Sequence, residues 1–181
     1  LIFNFQLTIV FVLTSIYSGN TQSLFDINTI RTVEINFFDA DWDDQLDSLA
    51  SLNAGTGSGT ERILANVIID GIPFDSCGVR YKGNSSLDTA KIKNPFNIDL
   101  NYTVAGQQYL GKNKIKLANN FSDPSMVREA LMYEISNKYM DCPQGSFVKL
   151  YINSTYIGLY THTESIDNEF LDEFYGSSEN P

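Results

Sequence analysis

Apolar and polar residues alternate with a period of two along most of this chain, and three short stretches change to the 3.6-residue rhythm of a helix. Val33, Ile35 and Phe37 alternate with Glu34 and Asn36, which predicts a strand over Thr32–Phe38. Arg62–Asp70 and Phe74–Lys82 read as two more strands around the turn Asp70-Gly71-Ile72-Pro73. Pro95–Tyr102 and Lys112–Leu117 follow, and Phe147–Ile152 with Tyr156–Thr161 read as a hairpin about Asn153-Ser154. The first helical stretch is Asp39–Asn53, capped by Asp39 or Asp41, with Trp42, Leu46, Leu49 and Asn53 in one stripe. The second starts near Pro124, behind Ser122 or Asp123, and runs to Lys138 with Val127, Ala130, Leu131 and Ile135 as its core stripe. An acid, Glu134, falls inside that stripe. The third, Asn168–Tyr175, is capped by Asp167 and ended by Gly176. These elements predict an α+β fold, an antiparallel sheet with packed helices, buried on one face and polar on the other.

At 181 residues, 43% hydrophobic and 13% aromatic, the chain has enough apolar surface for one folded domain and is not disordered. No charge occurs before Asp26, and the apolar run Leu7–Tyr17 is followed by the small residues Ser18, Gly19 and Ser23. Residues 1–23 therefore read as a signal peptide incomplete at its start, so export to the cell surface or beyond is expected, with no membrane span after its removal. The folded part is expected over 32–176, with a polar tail at 177–181. Cys77 and Cys142 can form one disulfide or remain two buried thiols. With a single histidine, His162, they cannot complete a four-ligand zinc site without carboxylates. His162 has no adjacent nucleophile and reads as a strand residue. The Gly-rich stretch Asn53–Thr60 lacks the Lys-Ser/Thr ending of a phosphate loop and reads as a connection.

Charge sharpens the picture. The net charge is −10, which argues against nucleic acid as a partner. Yet Arg80–Lys116 holds seven cations and two acids. Like charges gathered together cost energy unless something screens them, so this island points to an anion. The glycine of Tyr81-Lys82-Gly83-Asn84-Ser85-Ser86 lets backbone N–H groups approach such a ligand.

Four blocks, GVRYKGNSS (78–86), KNPFNIDL (93–100), KIKLANNFSDPSMVREAL (114–131) and VKLYINSTYIGLYTHTESID (148–167), resemble the spore coat protein H (CotH) kinase-like family in sequence and order. The likeness extends over about residues 33 to 175. It implies the N-terminal lobe of an atypical protein kinase fold, which binds ATP with Mg²⁺ or Mn²⁺ and phosphorylates Ser or Thr of secreted or surface proteins. It implies phosphate-binding cations at Lys82, Lys91 and Lys93, a helix glutamate at Glu129 with Glu134 in reserve, and an adenine-side linker at Glu164. Arg80 joins this cofactor set or holds a carboxylate. The family's pattern often has Lys or Arg where Asn97 stands, and Lys93 is the candidate replacement. The family's catalytic and metal-binding aspartates lie downstream of the linker, and nothing after Glu164 supplies one. The chain is expected to be the front part of such a kinase, inactive alone. A non-catalytic secreted coat or surface protein is the rival expectation, and a carbohydrate-binding domain, prompted by 10 Tyr, a third.

Overall fold

The structure is a computed structural model that describes residues 23–52 and 60–176. Residues 1–22, within the stretch expected to be a signal peptide, the Gly-rich stretch 53–59 and the tail 177–181 lie outside the described residues. The strands are β1 (Ile30–Phe37), β2 (Ile63–Ile69), β3 (Ile72–Tyr81), β4 (Phe96–Asp99), β5 (Lys114–Ala118), β6 (Gly145–Ile152) and β7 (Thr155–Thr163). The helices are α1 (Trp42–Leu52), α2 (Arg128–Ser136) and α3 (Asn168–Tyr175).

The seven strands close into a barrel in the order β1-β2-β3-β4-β5-β7-β6. All pairs are antiparallel except β1 with β6, which run parallel with Val33 opposite Leu150. This overturns the expected open α+β sheet covered by helices, and with it the kinase-lobe layout of packed helices. The protein is mostly sheet, a closed mixed barrel with a few short helices. A period of two is the same in an open sheet and a barrel, because in both every second side chain faces inward. What distinguishes them is the β1–β6 pairing between segments more than a hundred residues apart, which no local pattern announces.

The inward residues fill the barrel as a packed core. Val33, Ile35, Val67, Val79, Phe96, Ile98, Leu117, Leu150 and Tyr160 are all buried. Two hairpins use two-residue turns whose backbone is left-handed at both positions, Asp70-Gly71 and Asn153-Ser154. That conformation matches the right-handed twist of the flanking strands and suits Asn, Asp and Gly. A buried arginine ties the start of the described chain to the barrel. Arg31 donates to the carbonyls of Ser23 and Leu24, to Asp70 (2.8 Å) and to the Tyr109 hydroxyl. Both cysteines are buried free thiols.

The helices depart most from expectation. α3 forms as predicted, with the Asp167 side chain accepting from the Phe170 N–H and Gly176 in the left-handed conformation. In α1, Trp42 and Leu46 are buried. α2 is shorter than expected and turned around. Only Ala130 of its predicted core stripe is buried, and Val127, Leu131 and Ile135 point to solvent. The reason is close contact with a glycine. A side chain on Gly145 of β6 would begin 3.3 Å from the Ala130 Cα, so the helix backbone lies almost on the barrel wall and only small residues fit between. Glu134 then falls on the open side, where an acid needs no partner.

Candidate functional site

Beyond Tyr81 the chain leaves β3 and returns to β4 through a polar loop whose two ends are tied by the Lys82 N–H donating to the Pro95 carbonyl (2.9 Å). Gly83 sits at φ +80°, and a Cβ there would lie 2.4 Å from Ser86 Oγ. The loop is braced by two asparagines. Fully buried Asn94 accepts from the Asp88 N–H and donates to the carbonyls of Asp88 and Lys91. Asn119 Nδ2 donates to the carbonyls of Ser86 (2.9 Å) and Lys93 (3.0 Å). The loop is thereby held over the end of β5 and the segment leading to α2.

Beneath it lies a pocket of about 430 Å³ lined by Lys82, Ser86, Asn119, Asn120, Asp123, Arg128 and Glu129, among others. Burial pushes the Lys82 pKa down and the Glu129 pKa up, and each opposes the other's shift through its charge. Lys116, on β5, also lowers Lys82; its own pKa is lowered chiefly by burial, with the charge of Asp167 opposing that shift and those of Arg80 and Lys114 adding to it. Burial is thus the main cost of these two charges, and each has one acid, Glu129 or Asp167, that offsets part of it. Arg128 reaches the Ser122 carbonyl and lies 3.5 Å from Asp123. Asp123 itself accepts from the N–H of Ser125 and of Arg128, so its oxygens are already engaged.

Two residues expected in the cofactor set, Lys82 and Glu129, therefore share one pocket. Arg80 stands on β3 opposite Asn97 and adjoins this cationic row. Lys91 lies apart, exposed and paired with Asp88 at 2.7 Å. Lys93 lies over the Tyr160 ring, 5.4 Å from its centroid, with its pKa lowered by burial. The Glu164 side chain is buried in a separate cluster, 3.1 Å from Lys112 Nζ and accepting from the Gln144 N–H. Its backbone N–H donates to the Gln144 carbonyl.

Four contributors carry no chemical signal of their own in the sequence. Lys116 carried no signal beyond membership of a charge-rich strand. Asn119 and Asn120 stand just before the helix cap, where a pair of asparagines is a common way to fix a turn. Asn120 has φ +58°, and its side chain bonds to Thr161 Oγ1 and the Leu159 carbonyl. Arg62 was read as a strand residue, yet its guanidinium donates to Asn97 Oδ1 and to the carbonyls of Gly78 and Asn97. A cation therefore does stand beside Asn97, supplied by the residue just before β2, two strands away.

For a polyphosphate the residues fit: Lys82 and Arg128 are cations that line the pocket, and the charge of Lys116 is felt at Lys82. For a divalent ion they fit poorly, since the pocket offers Glu129 and an already satisfied Asp123. Among the described residues no three His, Cys, Asp or Glu side chains are grouped as metal ligands. No helix among them is long and apolar enough to cross a membrane.

Residues 79–180 match the CotH kinase protein family, and this chain belongs to it. The matched segment starts on β3 and takes in the braced loop, the pocket and α2. No curated protein matches the chain significantly.

Proposed function

We propose that this chain is the nucleotide-binding part of a secreted CotH-type protein kinase, holding ATP by its phosphates for transfer of the γ-phosphate to Ser or Thr of extracellular or coat proteins. The observation that carries the reading is the opposed pair of half-buried charges, Lys82 and Glu129, in a pocket roofed by the Gly83–Asn94 loop. Phosphoryl transfer asks a protein mainly for positioning and charge neutralisation. Lys82 and Lys116 would meet phosphate oxygens, and Glu129 would orient Lys82 and keep it charged. The braced loop would exclude water from one side. A bound divalent ion would neutralise the remaining phosphate charge; carboxylates to hold it would have to come from outside the described residues. The chain alone is accordingly a binding unit.

Calorimetric titration tests this. ATP with Mn²⁺ is expected to bind the chain, and Lys82→Met to weaken binding at least about tenfold, the loss of one or two charge-assisted hydrogen bonds. Glu129→Gln is expected to weaken it less. Equal affinity in all three proteins would remove the pocket from consideration.

A further inference from the structure

One residue in the wall of the pocket offers phosphate nothing. Phe121 lines the cavity with Lys82 and Arg128, and it is 53% exposed. Among the described residues that line the pocket it is the only aromatic one. A lone exposed apolar residue is normal on a surface, but this one is held where it stands. Asn120-Phe121-Ser122-Asp123 is a turn closed by the Asp123 N–H donating to the Asn120 carbonyl (3.0 Å). Both neighbours of Phe121 are left-handed, Asn120 at φ +58° and Ser122 at φ +57°. Asparagine tolerates that conformation, whereas serine in the third place of a turn adopts it against its preference. Hydrogen bonds pin both. Asn120 accepts from Thr161 Oγ1 (2.7 Å) and donates to the Leu159 carbonyl, and the Ser122 carbonyl accepts from Arg128 (3.3 Å). Strain of this kind persists only where the surrounding structure fixes it, and it gathers at ligand clamps.

The lining combines two kinds of chemistry. Lysine and arginine suit phosphate oxygens, through charge-assisted hydrogen bonds. A phenyl ring has no donor or acceptor and suits a flat, apolar or aromatic partner. A nucleotide carries both kinds of group in one molecule, and any nucleobase can stack on an aromatic side chain, because each has a π-face. A cavity of about 430 Å³ is of the size that holds such ligands. Glu164, expected on the adenine side, is taken elsewhere: its side chain meets Lys112 and its N–H donates to the Gln144 carbonyl.

We propose that Phe121 is the base-stacking residue of this pocket, so that the nucleobase lies against its ring while the pocket's cations hold the phosphates. The inference rests on the nucleotide reading above and deepens it, because it names the side chain that tells a nucleotide from a bare polyphosphate.

Calorimetric titration of the 181-residue chain with ATP and with inorganic tripolyphosphate, each with Mn²⁺, tests it. The parent is expected to bind ATP the more tightly. Phe121→Leu keeps an apolar side chain and removes the ring. It is expected to weaken ATP binding about fivefold to tenfold and to leave tripolyphosphate within about twofold of the parent. Retained tripolyphosphate binding also shows that the variant is folded. Phe121→Trp offers a larger face and should hold ATP at least as tightly as the parent. Its new indole reports the contact directly, since the parent's single tryptophan, Trp42, is buried. ATP should quench the added emission and tripolyphosphate should not. A Phe121→Leu chain that loses both ligands equally, or that keeps the parent's ATP affinity, would overturn the stacking role and leave the phosphate site standing. Emission from Phe121→Trp that responds to neither ligand while ATP binds would do the same. A parent that binds neither ligand would overturn the nucleotide reading and this inference together.

Discussion

His162 sits in the barrel wall with its ring stacked on Phe25 at 4.8 Å and its Nε2 without a hydrogen-bond partner. Burial, and then the charges of Arg31 and Lys82, hold its pKa down at about 3. A base whose folded pKa is depressed binds fewer protons in the folded state than in the unfolded one. Its contribution is neutral above the unfolded value near 6.5 and becomes destabilising as pH falls from there towards 3, at up to ~1.4 kcal/mol per pH unit. His162→Phe keeps the stacking and removes the titration. Denaturant melts at successive pH values are therefore expected to show the parent losing stability faster than the variant below about pH 6.5. Parallel curves would show that the imidazole already finds a proton partner. From the sequence His162 read simply as a strand residue, which is where it stands. Its complete burial was not legible, because nothing local shows that Phe25 folds back over it.

At the scale of elements, the loop between β3 and β4 is the part most directly shaped by sequence. Gly83 can hold φ +80° without strain, whereas an alanine there costs about 1 kcal/mol before it meets Ser86. Gly83→Ala is expected to lower the melting temperature by a few degrees and weaken ATP binding severalfold, read by calorimetry beside the parent. Unaltered affinity would mean that the loop takes no part in the pocket. The strands, both tight turns and the third helix were legible because each is set by neighbours in sequence. α2 was not. Val127, Leu131 and Ile135 fit a buried stripe as well as any helix in the chain, and only the contact of Gly145 with Ala130 decides which side faces the barrel. The misplaced stripe and the oddly placed Glu134 were one problem. Turning the helix resolves both.

For the whole molecule, closure of the barrel is what gathers the site. β4 and β5 join β3 to β7, so Arg80, Asn97, Lys116 and Thr163 fall in one row across four strands. The cationic island was visible as a run of lysines in an acidic chain, and its pairing with Glu129 followed from the family resemblance. Its division was not visible. Lys91 stays on the surface, Lys93 lies over Tyr160, and Lys82 lines the pocket within reach of the charge of Lys116. That division depends on the register of strands that are distant in sequence. The central claim is that Lys82 and Lys116 are the lysines that meet phosphate. An acyl-phosphate derivative of ATP, which acylates lysines beside its phosphates, tests this directly when the labelled peptides are read by mass spectrometry. Labelling is expected at Lys82, Lys116 or both, and free ATP should suppress it. Labelling confined to exposed lysines such as Lys91, or indifferent to competing ATP, would contradict the account.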